Sequence, residues 1–417
     1  MFSPPGYVLF TAADAPSMYG KTLADFETHL VNNVLFEQKI LIYDAYLVNS
    51  QQLFAHLAKS PKGTSFFEIA VANELITPVY RGSGTHSLKK ALAVMRQQYR
   101  DDVYLYINDA DPSIVRRLFA CMSEDCPSYL LPQSRQQPLS VSFASLLRSQ
   151  LQDEATLNEA LNNRNIPDLP WLLERTRSWR TDLIDKAEER TRRKHQPGIH
   201  RSEIFNLIAE YHQLSDPSAM PETHPDKTST MAFLRWVTQC HQINISRAFR
   251  TSVHLVDYLW REDFIADNIT SPPEPNPVAD TEPLTCEVLL PRPELLLGYF
   301  GKDPVELIRI RKDLGNSYLD SLETWRKVPT YNNKAMVATL LQEYCQAICE
   351  RYLQNTKPQK WVVRFESMLG FIAGKLLAPV PSPILKAGIT TITRNTAYRL
   401  AIGKTELHLH HPAWLDA

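Results

Sequence analysis

Four acidic residues in the N-terminal third of the chain could bind a divalent cation. Asp44 lies in a run of β-branched and aromatic residues, Asp109 and Asp111 follow a second such run, and Glu68 lies in a helical pattern. Carboxylate oxygens are the ligands that Mg²⁺ and Mn²⁺ prefer. A metal held there could activate water against a phosphodiester.

An Asp at an early strand, a helical Glu and a later Asp pair together resemble the layout of PIN-type nucleases. The resemblance rests on these four residues alone and implies a metal-dependent phosphodiesterase or nuclease, with Mg or Mn as cofactor only in that case. Structural roles are the alternative. Glu68 fits a capping box with Ser65, Asp111 before Pro112 fits a helix N-cap, and Asp44 can bond backbone groups. No further acidic strand end completes the site.

A loop with two glycines, between a predicted strand and a predicted helix, is a candidate phosphate site. Glycine lets the backbone approach a ligand closely, and a helix N-terminus offers free N–H groups. The segment matches neither the Walker A sequence nor the full dinucleotide fingerprint, so a capped turn is the alternative. The residues that could contribute are Arg81, Gly82, Gly84, Thr85, Ser87 and Lys89.

A basic stretch over residues 175–201 could follow a nucleic-acid backbone. Its densest part is Arg190, Arg192, Arg193 and Lys194. Basic residues in the last turn of a helix are also favoured by the helix dipole. Acids from Asp182 to Glu189 allow ion pairs four residues apart. We favour a solvated helix end and keep nucleic-acid binding as the alternative.

Two C-terminal features indicate weaker alternatives. The segment 367–405 has bases, apolar runs and no acid, which is typical of a membrane-acting effector, but Pro379, Pro381 and Pro383 break any long helix. Histidines at 408, 410 and 411 could bind Zn²⁺ from a strand, but no obvious Cys or acid completes the ligand set. We therefore predict neither membrane contact nor a metal.

The sequence predicts that an α/β domain positions the N-terminal residues and that the rest of the chain is mostly helical. Strands alternating with helices predict a mostly parallel sheet with helices on both faces. After a loop at 127–138 the apolar period becomes helical, and a helix from about 303 reaches Lys327. The predicted strands are 7–10, 39–48, 76–81 and 103–107, and the later predicted helices include 168–195, 201–214, 228–265 and 333–354.

The chain of 417 residues is long enough for several domains. We predict an α/β domain at 1–135, a helical domain at 136–268, a Pro-rich acidic linker at 269–285 and a helical domain with a basic apolar tail segment at 286–417. The net charge of −1 gives no global attraction to nucleic acid or membranes. Six sparse cysteines and no visible secretory signal favour a reducing, cytoplasmic location.

No motif of high specificity occurs in the chain, so we expect a non-catalytic interaction or regulatory protein. Its ligand or partner surface would lie on the N-terminal α/β domain, with a protein as the partner. The metal-dependent phosphodiesterase and the nucleotide-responsive protein are the alternatives, followed by the membrane-acting effector. The sequence does not identify the ligand, the partner or the oligomeric state.

Overall fold

The chain combines an N-terminal parallel sheet flanked by helices with a mostly helical remainder, as predicted. The computed structural model describes residues 7–13, 22–81, 86–99, 105–131, 133–152, 169–195, 198–211, 227–249, 251–254, 284–291, 296, 304–355 and 402–409.

Five parallel strands of the described chain form the sheet, in the order β4-β3-β2-β1-β5. Because β1 lies between β2 and β5, it is the strand at which the chain order reverses. Most residues of the strands are apolar, as expected for a parallel sheet covered on both faces. Their bounds are Tyr7–Phe10 (β1), Lys39–Tyr43 (β2), Ile76–Arg81 (β3), Tyr129–Leu131 (β4) and Ser252–His254 (β5).

Side-chain caps fix where several of the flanking helices begin. Thr22 forms a capping box with Asp25 at the first helix, and Ser65 forms one with Glu68 at the fourth. Thr11–Ala13 and Tyr106–Asn108 form short 3-10 turns. The helices are Leu23–Phe36 (α1), Asp44–Asn49 (α2), Gln51–Ala58 (α3), Phe66–Ala72 (α4), Leu88–Tyr99 (α5) and Pro112–Cys121 (α6).

Three local predictions in this part were wrong. The strand predicted over 39–48 ends at Tyr43, and residue 44 already begins α2. Residues 106 and 107 of the strand predicted over 103–107 lie in a 3-10 turn. The loop predicted over 127–138 contains β4, which pairs with β3. A strand of three residues depends on the neighbour that it pairs with more than on its own sequence.

The described residues from 133 to 249 form four helices, and the chain then returns to the sheet. They are α7 (Gln133–Gln152), α8 (Leu169–Arg193), α9 (Arg201–Tyr211) and α10 (Lys227–Phe249). The helix predicted over 228–265 ends at Phe249, where the Ser246 hydroxyl donates to the Thr251 carbonyl at 2.5 Å. β5 follows and pairs with β1. The range predicted as a helical domain, 136–268, thus supplies one strand of the N-terminal sheet.

The described residues of the C-terminal part include three helices, within 305–355, and a two-stranded antiparallel ribbon. A single helix was predicted up to Lys327, but the chain bends at Gly315. A Cβ atom there would lie 2.7 Å from the Arg311 carbonyl oxygen and 3.1 Å from the Tyr344 ring, so only glycine allows this approach. The elements are β6 (Leu284–Pro291), α11 (Val305–Leu314), α12 (Asn316–Lys327), α13 (Tyr331–Asn355) and β7 (Ile402–Leu409).

Two general properties follow from the described residues. All six cysteines are free thiols. No described helix is both long enough and apolar enough to cross a membrane. Most of the predicted linker (269–285) and of the basic apolar segment (367–405) lies outside the described residues.

Candidate functional site

Asp44 lies at the carboxyl edge of the sheet and is completely buried. It follows β2 directly, as the first residue of α2. Burial raises the pKa of the neighbouring Tyr80 phenol, and the Cys126 thiol and Asp44 raise it further. The Tyr80 hydroxyl donates to the Met122 carbonyl at 3.4 Å. Asp44 is therefore enclosed at the sheet edge among side chains of the core.

Glu68 joins three segments of the N-terminal part. Its carboxylate accepts from the Ser65 hydroxyl at 2.8 Å and from the Arg117 guanidinium at 2.8 and 3.2 Å. Arg117 also donates to the carbonyls of Leu57 and Ser60 at 2.6 and 2.7 Å. Burial alone would raise the pKa of Glu68, but the bonds from Arg117 and Ser65 outweigh it and lower the pKa. This carboxylate has a structural role.

Asp109 and Asp111 are both exposed, in the short connection between the 3-10 turn at 106–108 and α6. Asp111 is the predicted N-cap of α6, and its carboxylate accepts from the Ser113 N–H at 2.7 Å, with Pro112 in the first helical turn. Among the side chains that the structure describes, no three His, Cys, Asp or Glu residues group as they would around a metal ion.

The glycine loop itself, residues 82–85, lies outside the described residues, but its flanks are described. Arg81 ends β3, opposite Leu131 of β4. Ser87 is buried, and its hydroxyl accepts from the Lys90 N–H at 3.4 Å at the start of α5. Lys89 is exposed. Ser87 thus has the capping role that was the alternative to phosphate binding.

The four basic residues at the end of α8 each form an ion pair with an acidic side chain. Arg190 makes a two-bond ion pair with Glu210 of α9, at 2.6 and 2.8 Å. Lys194 pairs with Glu203 at 2.7 Å. Arg192 and Arg193 pair with acids one turn earlier on α8, Glu188 and Glu189. These contacts are those expected of a solvated helix end.

A buried histidine of α3 has both ring nitrogens engaged. The Nδ1 atom of His56 lies 2.9 Å from the Glu27 carboxylate, which Lys59 also contacts at 2.9 Å. The Nε2 atom accepts from the Phe67 N–H at 3.4 Å. Because Nε2 is an acceptor, Nδ1 carries the proton. The pair ties α1, α3 and α4 together.

Two buried arginines of the C-terminal helices form hydrogen bonds and an ion pair with residues at the end of α1. Arg326 of α12 makes a two-bond ion pair with Glu37, at 2.6 and 3.1 Å, and these side chains are 0% and 1% exposed. Arg311 of α11 donates to the carbonyls of Val34 and Glu37 at 2.6 Å and of Gln38 at 2.7 Å. The Val34 carbonyl lies in the last turn of α1, where carbonyls lack partners within the helix, and Glu37 and Gln38 directly follow that helix.

Further bonds complete this contact, which we name the arginine clamp (Arg311 and Arg326 on residues 34–38). The Tyr318 hydroxyl donates to the Phe36 carbonyl at 2.8 Å. Gln38 donates to the Leu319 carbonyl at 3.0 Å and to the Glu323 carboxylate at 2.8 Å. The clamp fixes the C-terminal helices on the N-terminal sheet region.

Sequence reasoning missed the clamp, although one signal was available. Arg326 is four residues after the buried Leu322 and next to the buried Trp325, so it lies on the apolar face of α12. A charged residue on a buried helix face requires a partner. The partner, Glu37, is 289 residues away in the chain.

Large apolar side chains are exposed between the end of α12 and the first two turns of α13. Tyr331 is 76% exposed, Met336 55% and Val328 54%. The backbone here is well held, because the Thr330 hydroxyl accepts from the Asn333 N–H at 3.3 Å and Asn333 donates to the Val328 carbonyl at 2.8 Å. We name this group of exposed residues at the junction the apolar corner (Val328, Tyr331 and Met336).

Comparison with protein-family models, with curated proteins and with solved structures returned no match.

Proposed function

We propose that the protein is a non-catalytic interaction protein and that the apolar corner is the surface on which a protein partner docks. The observation that carries the proposal is the exposure of Tyr331, Met336 and Val328 within one short stretch of chain. Exposed apolar residues that stand singly are common, but large ones exposed close together in the chain make this junction a candidate interaction site. Tyrosine and methionine are enriched at protein interfaces.

The contacts that fix the helices of the apolar corner support the same proposal. A docking surface binds more tightly when it needs no ordering on association. The corner belongs to helices that the arginine clamp fixes on the sheet region, and Thr330 caps α13 at its base. The free cysteines support a reducing, cytoplasmic location for this interaction.

The docking proposal is tested with a double substitution, Tyr331→Glu with Met336→Glu. Both side chains are exposed, so the fold should tolerate the change, whereas two charges in an apolar contact oppose binding. We expect a protein that copurifies with the wild-type chain to be recovered at least about tenfold less well with the variant.

The matched control is Gln342→Glu, which adds a charge at an exposed position of α13. This position lies about 16 Å from Tyr331 along the helix axis. Recovery with this control should equal that of the wild type. Equal recovery of every copurifying protein with the double variant, at an unchanged thermal midpoint, would contradict the proposal.

A ligand-responsive role at the carboxyl edge of the sheet is the second candidate. The strand order favours it, because β1 lies between β2 and β5 and ligands of open α/β sheets bind where the order reverses. A phosphate-bearing ligand at this edge should raise the thermal midpoint by mass action. We expect a rise with nucleotides that Lys89→Gln reduces and Lys90→Gln leaves unchanged, and no rise with any nucleotide would refute this role.

A further inference from the structure

The first N–H groups of α4 have no acceptor within the helix, as at the start of any helix. The Glu68 N–H donates to the Ser65 hydroxyl at 3.2 Å, within the capping box. The Phe67 N–H, one residue earlier, donates to the Nε2 atom of His56 at 3.4 Å. Phe67 and His56 are 0% and 5% exposed, so this N–H depends on an acceptor from the protein. His56 of α3 thus caps α4 from another helix.

The cap requires the neutral form of the imidazole. A backbone N–H can only donate, so Nε2 presents its lone pair to Phe67, and the proton of the ring lies on Nδ1, 2.9 Å from the Glu27 carboxylate. In the imidazolium form both ring nitrogens carry protons. Two donors would then face each other at the end of α4 where the helix dipole is positive. Protonation of His56 therefore keeps the contact with Glu27 and removes the cap.

The carboxylates around His56 do not change charge between about pH 7.5 and about pH 5.5. Glu27 faces the ring from α1, and Lys59 of α3 contacts the same carboxylate at 2.9 Å. Burial alone would raise the pKa of Glu27, but the bonds from His56 and Lys59 outweigh it and lower the pKa. α4 and α6 contribute Glu68 and Arg117, which pair with each other, and the pKa of Glu68 is lowered as well. Within this group, a change of charge in mildly acidic solution is a change on the imidazole.

We propose that His56 is a pH-sensitive cap, which holds the start of α4 at neutral pH and releases it when acidification protonates the ring. Histidine is the side chain that ordinarily changes charge between about pH 5 and 8. The capping box of Ser65 with Glu68 does not involve the ring, so the response is a local opening of the first turn of α4. The device is independent of docking at the apolar corner.

Hydrogen exchange of the full chain, measured by mass spectrometry on peptides that cover residues 66–69, tests the proposal at about pH 7.5 and about pH 5.5. After correction for the intrinsic pH dependence of exchange, protection of this segment should fall by about fivefold or more at the lower pH, the factor expected for a lost helix cap. His56→Gln should abolish this pH effect, because a carboxamide offers one acceptor and an N–H donor and does not titrate. His86→Gln, at an exposed histidine before α5, is the matched control and should retain it.

Thermal midpoints at neutral pH show whether His56→Gln is folded, and ¹⁵N-histidine NMR of the wild-type chain gives a second measurement that needs no variant. A ring that carries its proton on Nδ1 at neutral pH, and becomes imidazolium in parallel with the loss of protection, would support the cap. Equal protection of residues 66–69 at both pH values in the wild type would overturn it. So would a loss of protection that is as large in folded His56→Gln as in the wild type.

Discussion

Replacing Arg326 by methionine should lower the free energy of unfolding by about 3–5 kcal/mol, the loss typical of a broken buried ion pair. Arg326 and Glu37 are 0% and 1% exposed, so methionine would remove the guanidinium that contacts the buried Glu37 carboxylate at two points. Denaturant unfolding at pH 7 measures the loss. The expected loss is a large part of the stability of an ordinary domain.

Two further variants show whether the buried pair is the cause. Lys327→Met removes the neighbouring exposed ion pair with Glu323 and should cost at most about 1 kcal/mol. Glu37→Gln combined with Arg326→Met should recover most of the loss, because the buried carboxylate charge is then removed together with the arginine. If Arg326→Met costs no more than Lys327→Met, the arginine clamp does not hold the C-terminal helices.

Replacing Arg117 by methionine should also cost about 3 kcal/mol or more at pH 7, and this loss should shrink as the pH falls. In the wild type the pKa of Glu68 is lowered, so its stabilisation is present above the unfolded-state pKa of about 4.3 and is lost as pH falls through the folded-state pKa. Without Arg117, burial favours the protonated carboxyl group. The variant therefore loses less stability towards acid pH than the wild type does.

Denaturant unfolding at pH 7 and at about pH 4 measures this difference. Arg116→Met, at the exposed neighbouring position on α6, is the matched control. It should change the free energy of unfolding by no more than about 0.5 kcal/mol at either pH. A cost of Arg117→Met that stays constant between the two pH values would show that Glu68 does not depend on the Arg117 charge.

Sequence reasoning was reliable where the signal is local. The capping box of Ser65 with Glu68 and the N-cap at Asp111 are formed as the residue types predicted. Both need only a few neighbouring residues. The apolar strands β1 and β3 were also predicted with their bounds.

The misplaced elements depend on distant partners. β4 and β5 have three residues each, and their pairing with β3 and β1 decides their conformation. The strand predicted over 103–107 has strong strand-forming residues, yet 106–108 form a 3-10 turn. Tertiary context overrides propensity in such short segments.

The contacts of the candidate site residues likewise depend on partners that are distant in the sequence. The sequence identified Asp44, Glu68 and the basic stretch by residue type, and the structure adds their partners, such as Arg117 for Glu68 and Glu210 for Arg190. The arginine clamp and the apolar corner were not predicted, because both depend on which helix faces are covered. Exposure of Tyr331 becomes visible only when the neighbours of α13 are placed.

Site-specific photocrosslinking in the cells that make the protein tests the docking proposal most directly. A photoreactive phenylalanine analogue would replace Tyr331 in one sample and Gln342, exposed on the same helix, in another. The proposal predicts a discrete protein adduct from position 331, weak or absent from position 342 and lost when Met336→Glu is added. No adduct from position 331, or equal adducts from both positions, would contradict it.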